Sequence, residues 1–341
     1  MSLKNLSVNK IPKLLKDKIH NKRIKDLYKL FEKEFSLDKD FIVAVSGGPD
    51  SLALAFLTKI YCIKKKLRCS YFIVDHKLRK ESTLEAKKVR EVLSKFGIKS
   101  QILTWVGKKP KKNIQSLARQ KRYSLLFSEC KKLKISNLIL GHHIDDSYEN
   151  FFIRITRGSG LRGLVSFGKK TKMNEINLIR PLLEFQKKDL IFISSFVFNF
   201  FVKDPTNEKT KYFRTRIRKL IDELQKDGFD KRKLFLTLKN LKSSDDAIIF
   251  YVENNKKYNS FFNKKKNELV LNEEFFNHPY DVVFRSLSES LKLIGKKHYL
   301  VRGKKLDNIL KKIKENNLIK ETLGGCVIKK IKQTVILAKE Y

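Results

Sequence analysis

The chain has 341 residues, which is long enough for two or three domains that each bury a core. It carries 76 lysines and arginines against 36 aspartates and glutamates, a formal net charge of +40 at pH 7. A charge this large favours a polyanionic partner, most simply nucleic acid, and disfavours an enzyme that acts only on small anionic substrates. Lysine, asparagine, isoleucine and phenylalanine are all abundant. We therefore expect part of the charge to be ordinary solvated surface.

The cysteine pattern and the hydropathy exclude several further classes. The cysteines at 62, 69, 130 and 326 are scattered without a C-x-x-C pair, which predicts neither a disulfide framework nor a zinc finger. This usage is typical of a reducing cytoplasm. The longest mainly apolar stretch, Leu190–Val202, has 13 residues. A membrane-spanning helix needs about 20. We predict a cytoplasmic protein without membrane contact or signal peptide, and a buried helix or strand at 190–202.

Strands alternate with helices from about residue 40 to residue 160, after a basic helical segment. Strands are predicted over Phe41–Val45, Ser70–Val74, Ser100–Trp105 and Asn137–Leu140. Helices are predicted over Ser51–Lys64, Ser82–Phe96 and Asn113–Leu133. This alternation predicts an α/β fold with a doubly wound parallel sheet. In such sheets, ligands bind beyond the carboxyl ends of the strands.

The chain after residue 160 has a less regular pattern. Residues 165–235 are predicted to be mainly helical, with loops at Lys169–Asn174 and Lys203–Lys211. The mixed polar stretch Leu241–Lys257 is a candidate boundary, and a small basic α+β unit follows from about residue 260. Two short strands are expected within Cys326–Lys339.

The segment FIVAVSGGPDSLA at 41–53 is the most informative. An apolar strand ends at a turn and a helix begins directly after it; the turn consists of Ser46, Gly47, Gly48, Pro49, Asp50 and Ser51. Two glycines let the backbone bend tightly and approach a ligand, while the free N–H groups and the helix dipole face one point. This predicts a phosphate or pyrophosphate site, with Asp50 holding Mg²⁺. A strand–turn–helix without a ligand is the alternative, and the ordinary P-loop is excluded because Gly-Lys-Ser/Thr is missing.

Polar residues also follow two other predicted strands at the same edge. The second strand is followed by Asp75 and His76, and the fourth by a longer run of His142, His143, Asp145 and Asp146. Three interpretations of that run stay open: aspartates that cap a helix, a transition-metal site, or a cluster that binds a cationic amine and Mg²⁺. The glycine turn on the same edge favours the third.

Basic residues form three further groups. Arg119 and Arg122 are three apart on one helical face, either as phosphate ligands or as a solvated basic face. Alternate arginines at 214, 216 and 218 suggest a phosphate clamp. Residues 158–163 match G-x-G-x-x-G, but they follow a predicted helix and lie among Arg157 and Arg162. They therefore predict a basic loop near phosphates, not a dinucleotide fingerprint.

Together, these segments resemble the tRNA(Ile)-lysidine synthase family of N-type ATP pyrophosphatases, which carry the PP-loop motif S-G-G-x-D-S. The matching segments are SGGPDS at 46–51, VDHKLRKES at 74–82, LARQKRY at 117–123, LGHHIDDSYEN at 140–150, RGSGLRGL at 157–164, RPLL at 180–183, and DPTN with RTRIR within 204–218. TLGGC at 322–326 is similar to the family's C-terminal domain. Departures from the family pattern are Ser147 for Gln, Asn150 for Thr, Thr215 for Asn, and Lys77 and Lys80 for Gly and Pro.

The resemblance implies an adenine nucleotide alpha hydrolase-like fold and a division into three parts. These are a basic helical segment at 1–38, a PP-loop catalytic domain with a helical extension at 39–228, and a basic tRNA-binding domain at 229–341. It implies ATP and Mg²⁺ as cofactors, and L-lysine and tRNA(Ile) with a CAU anticodon as substrates. Cytidine 34 would be adenylated at its C2 oxygen and then joined to lysine at C2, which changes codon reading from AUG to AUA. The sequence leaves the oligomeric state open and allows a homodimer.

The resemblance also implies roles for single residues. Catalytic roles fall to Asp50, Arg119, Asp145, Asp146 and Arg214. ATP binding falls to Ser46, Gly47, Gly48, Pro49, Asp50, Ser51, Asp75 and His76, and Asp50 is also the metal ligand. Contacts to lysine or tRNA fall to Arg122, His142, His143, Arg157 and Arg216. A PP-loop tRNA thiolase, which would need paired cysteines, and a non-catalytic basic RNA-binding protein are the alternatives.

Overall fold

The structure is a computed structural model that describes residues 12–107, 114–165, 167–173, 175–202, 213–297, 300–301 and 303–340. The chain divides into two units, one ending at Lys231 and the other beginning at Arg232. The predicted loop Lys203–Lys211, with the DPTN segment, lies outside the described residues. The predicted domain boundaries at 38/39 and 228/229 stay predictions.

The first unit opens with two helices and then alternates strands with helices. Its elements up to residue 155 are α1 (Lys13–Ile19), α2 (Lys22–Glu34), β1 (Phe41–Val45), α3 (Pro49–Lys65), β2 (Cys69–Asp75), α4 (Ser82–Lys95), β3 (Ser100–Thr104), α5 (Ile114–Leu133), β4 (Asn137–Ile139) and α6 (Ile144–Ile155). Each predicted strand and helix of this region is confirmed, with small shifts at the ends. The helix that Asp145 and Asp146 were expected to open is α6.

The rest of the unit is largely helical, as predicted, and also contains two short strands that were not predicted. It contains α7 (Leu161–Leu164), β5 (Lys170–Met173), β6 (Ile176–Ile179), α8 (Lys187–Phe198) and α9 (Phe213–Lys226). The predicted loop at Lys169–Asn174 is wrong over residues 170–173, which form β5 and pair with β6, while Asn174 lies outside the described residues. Ile176 and Leu178 of β6 are buried and their neighbours are half-buried, a period-two pattern that is hard to recognise in four residues. The apolar stretch from Leu190 lies in α8, which ends at Asn199 in a left-handed conformation.

The six strands form one sheet in the order β3-β2-β1-β4-β6-β5, in which only β5 runs antiparallel to its neighbour. Side chains of β1 alternate between its faces: Val43 packs in the core with α3 and α8, and Ile42 packs with Leu126 and Phe127 of α5. The strand order changes direction between the parallel neighbours β1 and β4, since β2 and β3 lie on one side and β4 and β6 on the other. The carboxyl ends of β1 and β4 flank the crevice that forms at such a point. Among the described residues, no helix is long and apolar enough to span a membrane.

The second unit is built on an antiparallel sheet. It contains most of α10 (Lys231–Asn259), then β7 (Ser260–Asn263), β8 (Glu268–Leu271), a 3₁₀ turn (Glu273–Phe276), α11 (Tyr280–Ile294), α12 (Gly303–Lys314), β9 (Lys320–Leu323), β10 (Cys326–Ile331) and β11 (Thr334–Lys339). The strand order is β7-β8-β11-β10-β9. The two strands predicted within 326–339 are confirmed.

The candidate boundary at Leu241–Lys257 is wrong, because this stretch lies inside the continuous helix α10. Its polar residues stabilise the helix instead of interrupting it. Asp245 is buried and accepts a hydrogen bond from Arg285 of α11 at 2.6 Å. Lys242 pairs with Asp246 one turn later at 2.6 Å.

Candidate active site

The glycine turn between β1 and α3 has a conformation that only glycine tolerates at its second position. Gly47 has φ +85°, and a Cβ there would lie 2.5 Å from Val89 Cγ2. The Ser51 hydroxyl accepts a hydrogen bond from the Ser46 N–H at 3.0 Å and donates one to the Gly48 carbonyl at 3.0 Å. These contacts fix the turn directly before the first turn of α3, whose N–H groups have no partner within the helix.

The segment after β4 packs against this turn. A Cβ on Gly141 would lie 3.2 Å from backbone atoms of Asp50, so glycine permits the close approach. His143 is the N-cap of α6: its Nδ1 accepts from the Asp145 N–H at 3.3 Å, and its own N–H donates to Asp146 Oδ2 at 3.1 Å. The helix-cap interpretation of the aspartates therefore holds for Asp146. It does not account for Asp145, whose carboxylate is left for other contacts.

A pocket of about 490 Å³ opens at this point, and we call it the acidic pocket. Among the described residues, five carboxylates line it: Asp50, Asp145, Asp146, Glu149 and Asp222. The chain as a whole has a net charge of +40, so acidic side chains are much more concentrated in this pocket than in the rest of the protein. The pocket therefore suits a cationic ligand.

Cationic side chains of the protein itself already bind four of these carboxylates. The Lys187 ammonium lies 2.6 and 2.7 Å from the two oxygens of Asp50. Lys231 lies 3.3 Å from Asp145. Arg214 contacts Asp146 at 3.1 Å, and both Arg214 and Arg218 contact Glu149 at 2.5 Å. The pocket thus binds ammonium and guanidinium groups of the protein's own side chains.

His143 is buried among three of the carboxylates. Its ring nitrogens lie 3.8 Å from Asp50, 3.4 Å from Asp145 and 3.7 Å from Asp146. Burial by itself would lower the pKa of His143, but the hydrogen bond with Asp145 and the charges of Asp146 and Asp50 raise it overall. Burial would raise the pKa of Asp145 and Asp146. His143 together with Lys231 at Asp145, and His143 together with Arg214 and a backbone hydrogen bond at Asp146, outweigh burial and lower both pKa values. The carboxylates therefore stay ionised.

A second polar region, which we call the arginine crevice, consists of Arg119, Arg122, Arg180 and His142. Burial lowers the pKa of His142 to about 3, and the charges of all three arginines add to this effect. Burial also lowers the pKa of His76 to about 4, assisted by the charge of Arg122. Both imidazoles are therefore neutral at pH 7.

The structure brings together most of the predicted site residues, but it corrects the three-arginine clamp. Arg214 and Arg218 lie on one face of α9 and bind Glu149. Arg216 lies on the opposite, exposed face and stacks on the Phe213 ring at 5.4 Å. A helix places alternate residues about 200° apart, so the spacing that would align arginines on a strand separates them here.

Two further predicted ligands have other surroundings. Asp75 accepts hydrogen bonds from Lys77, Ser82 and Thr83 at 2.9, 2.8 and 2.6 Å, which fastens the loop after β2 to the start of α4. Arg157 is exposed in the turn after α6. Their roles in ATP and RNA binding stay predictions.

Several residues of the site were not predicted. Lys187, Glu149 and Lys231 line the acidic pocket, and Arg180 belongs to the arginine crevice. Arg180 could have been found, because it opens the RPLL segment. Lysines at 187 and 231 carry no local signal in a chain so rich in lysine. In the part of the chain that the structure describes, no group of three or more His, Cys, Asp or Glu residues is arranged to hold a metal ion.

Comparison with known proteins places this site in a family. A model of the PP-loop domain matches residues 17–224. A tRNA(Ile)-lysidine synthase of Wolbachia sp. subsp. Brugia malayi is 33% identical over 87% of this chain and 70% of its own length. One of Orientia tsutsugamushi is 34% identical over 90% of this chain and 71% of its own. The chain belongs to the tRNA(Ile)-lysidine synthase family.

Membership in the lysidine synthase family confirms the resemblance and the ATP-using PP-loop domain. Among solved structures, the U34-tRNA thiolase NcsA of Methanococcus maripaludis shares the fold with a TM-score of 0.56. It is 18% identical and covers 65% of this chain and 78% of its own. That likeness concerns the fold alone, and none of the residues lining the acidic pocket is a cysteine.

Proposed function

We propose that this protein joins L-lysine to C2 of cytidine 34 in tRNA(Ile) with a CAU anticodon, and cleaves ATP to AMP and pyrophosphate. The C2 oxygen attacks the α-phosphorus of ATP and pyrophosphate leaves. The ε-amine of lysine then attacks C2, AMP leaves with the oxygen, and the amine loses its protons. The observation that carries the proposal is an acidic pocket directly beside a PP-loop turn in a chain of the lysidine synthase family.

The glycine turn is the proposed site for the phosphates of ATP. The fixed backbone from Ser46 to Ser51 and the start of α3 offer N–H groups and a positive dipole to the phosphate oxygens. The ion pair of Lys187 with Asp50 lies at the same place. Stabilisation of charge on the phosphates is the largest expected contribution to catalysis.

Asp50 fits the role of a Mg²⁺ ligand. Both of its oxygens face the site and hold the Lys187 ammonium, which shows that a cation is favoured there. One carboxylate together with phosphate oxygens is the donor set that Mg²⁺ prefers in nucleotide sites. When bound, Mg²⁺ would neutralise charge on the phosphates.

The acidic pocket is the proposed lysine site. Asp145 binds the Lys231 ammonium at 3.3 Å, and the same contact would hold a substrate amine. An ammonium has a pKa of about 10.4 and must lose a proton before it can attack C2. His143, between Asp145 and Asp50, is placed to accept that proton.

The second unit is the proposed surface for the body of the tRNA. Lys329 and Lys332 are exposed on the hairpin of β10 and β11, where phosphate contacts would position the RNA. We extend the proposal to a cytoplasmic enzyme, in line with four free thiols. It also allows a homodimer, which light scattering on the purified protein would test.

Mass analysis of nucleotide 34 tests the proposal most directly. The transcript would be incubated with the protein, ATP, Mg²⁺ and lysine, and each component would be omitted in turn. We expect the mass of lysidine, and AMP with pyrophosphate only when both lysine and the cognate tRNA are present. Sulfur on the base would favour the thiolase, and RNA binding without nucleotide cleavage would favour the non-catalytic protein.

A further inference from the structure

Polar groups follow five neighbouring strands along one edge of the sheet, on both sides of the glycine turn. In spatial order, the strands β3, β2, β1, β4 and β6 are followed by Trp105, His76, the glycine turn, His142 and Arg180. Because the turn lies in the middle, groups after β2 and β3 are on one side of the phosphates and groups after β4 and β6 on the other. The His76 and Trp105 rings lie edge to face at 6.3 Å on the first side.

The second side is crowded with positive charge. Arg180 is 5% exposed, and Arg119 lies close enough to lower its pKa together with burial. Burial and the charges of Arg119 and Arg214 lower the pKa of Arg122. Within the described ranges, none of the arginines 119, 122 and 180 has a carboxylate at ion-pair distance, whereas Arg214 pairs with Asp146 and Glu149. The charge of Asp146 acts on Arg180 only from beyond that distance. Three like charges held this close to one another favour an anionic ligand.

Hydrogen-bonding groups on this side are also left without partners. His142 Nδ1 and Arg180 Nε are buried and contact no partner among the described residues. The Arg180 side chain is held in place all the same, since its Nη1 donates to the Gly168 carbonyl at 2.8 Å and to Thr171 at 3.1 Å. Buried polar atoms without partners are rare and costly in native proteins, so they point to a ligand that completes their bonds.

An aromatic ring borders the same space. The Phe167 ring lies 5.0 Å from the His142 ring, edge to face, and 4.8 Å from the Arg180 guanidinium. A ring beside cations and unpartnered hydrogen-bonding atoms is the combination by which proteins hold single unstacked bases of RNA.

We propose that His142, Phe167 and Arg180 form the pocket for the target base of the RNA, and that His142 selects cytosine over uracil. This inference rests on the proposed function, which requires a cytidine to reach the phosphates. The base contacts Phe167, its phosphate contacts Arg119 and Arg122, and the Arg180 Nε–H donates to an oxygen of the same nucleotide. ATP keeps its adenine on the other side of the glycine turn.

The selectivity follows from the unpartnered Nδ1 of His142. In the neutral tautomer that carries its proton on Nε2, Nδ1 accepts a hydrogen bond, and the exocyclic amine of cytosine donates one. Uracil has a carbonyl at that position and offers no donor. A bond accepted from the amine also leaves more electron density on the C2 oxygen, the atom that attacks ATP.

Binding without turnover tests this selectivity. Anticodon stem-loop RNAs with C or U at the target position are titrated into the full-length protein, without ATP or lysine, in a calorimeter. One hydrogen bond contributes about tenfold in affinity, so we expect the wild type to prefer C by about tenfold. His142→Ala should reduce the preference to within about twofold, whereas His142→Asn, which keeps an acceptor, should retain part of it. Lys131→Ala, a charge change at the far end of α5, should leave the preference intact.

The outcomes separate this inference from the proposed function. Lysidine formation by a His142→Ala protein that keeps the full preference for C would overturn the inference alone. A wild type that prefers C through His142 but makes no lysidine would overturn the function alone. No preference in the wild type would also refute the inference. Should His142→Ala unfold, Phe167→Leu carries the test, because loss of the ring contact should weaken binding of both RNAs about equally.

Discussion

Adjacent residues divide the active site into two regions of opposite charge. His143 faces Asp50, Asp145 and Asp146 in the acidic pocket, and its pKa is raised. His142 faces the arginine crevice, and burial with the surrounding positive charge lowers its pKa to about 3. Consecutive side chains at the end of a strand point to opposite sides, so one strand end can supply two environments.

This difference corresponds to the two demands of the proposed reaction. A lysine ammonium must be bound and deprotonated, which requires carboxylates and a base. The target nucleotide and the phosphates of ATP are anionic, which requires arginines and N–H groups. If the carboxylates and the arginines were mixed in one region, their electrostatic potentials would cancel. An arginine that is paired with a carboxylate has little attraction left for phosphate.

Asp50 belongs to the glycine turn and also lines the acidic pocket, and its substitution should have the largest effect. Asp50→Ala removes the proposed Mg²⁺ ligand and leaves the Lys187 ammonium without its partner. We expect a loss of at least about 100-fold in pyrophosphate release. Asp38→Ala, which removes an exposed carboxylate, is the matched control and should be close to wild type. Turnover near the wild-type rate in Asp50→Ala would contradict the phosphate site.

Substitution of Asp145 distinguishes the proposed lysine site from the proposed ATP site. Asp145 is half-buried. Asp145→Asn should raise the lysine KM or lower kcat by at least about 100-fold with little change in ATP binding, because removing the carboxylate from a partly buried carboxylate–ammonium pair typically costs several kcal/mol. Steady-state kinetics at varied lysine and at varied ATP measure both. Asp26→Asn, on the exposed face of α2, is the control.

Asp146→Asn is a less selective change, because Asp146 also caps α6 and binds Arg214. It should lower the melting temperature together with lysine affinity. Unchanged lysine kinetics in Asp145→Asn would show that the acidic pocket serves the protein's own lysines and not the substrate.

The strands and turns that position this site could be predicted from the sequence, but the side-chain contacts that form the acidic pocket could not. The turn from Ser46 to Ser51, the four parallel strands and the run His142–Asp146 were recognisable, because buried strands, glycine turns and caps are local patterns. The contacts of Lys187 with Asp50 and of Arg214 with Glu149 join residues 137 and 65 positions apart. Such contacts depend on how α8 and α9 return to the sheet, and no local pattern in the sequence specifies that.

The proposed RNA surface of the second unit extends the comparison, because it would attract RNA without contributing to the chemistry. Lys329→Ala with Lys332→Ala should weaken tRNA binding at low salt by about tenfold and leave kcat unchanged at saturating tRNA. Each phosphate contact contributes about one to the slope of log affinity against log salt, so the slope should become shallower by about two. Filter binding at several salt concentrations measures it.

Lys131→Ala with Lys132→Ala is the control, since it removes the same charge from the first unit. An equal change of slope in both double variants would mean that the RNA responds to net charge alone. An unchanged slope after substitution of Lys329 and Lys332 would exclude the β10–β11 hairpin from the RNA surface.

The smallest expected effect is a difference in the pH dependence of stability between the two histidines. In the folded protein the pKa of His142 is about 3, below its ordinary value of about 6.5, so the unfolded chain takes up a proton first as the pH falls. His142 should therefore cost on the order of 1–3 kcal/mol of unfolding free energy between pH 6.5 and 4.5. His142→Asn should lose less stability than the wild type over that interval.

His143 should behave in the opposite sense. Because its folded pKa is raised, its contribution is complete below pH 6.5 and disappears as the pH rises through the folded value. His143→Asn should therefore be most destabilised relative to the wild type at acidic pH, and the two proteins should converge above the folded pKa. Urea unfolding of all three proteins from pH 4.5 to 8 measures both trends. Parallel curves for the two variants would mean that adjacent histidines share one environment, and the separation of the acidic pocket from the arginine crevice would fail.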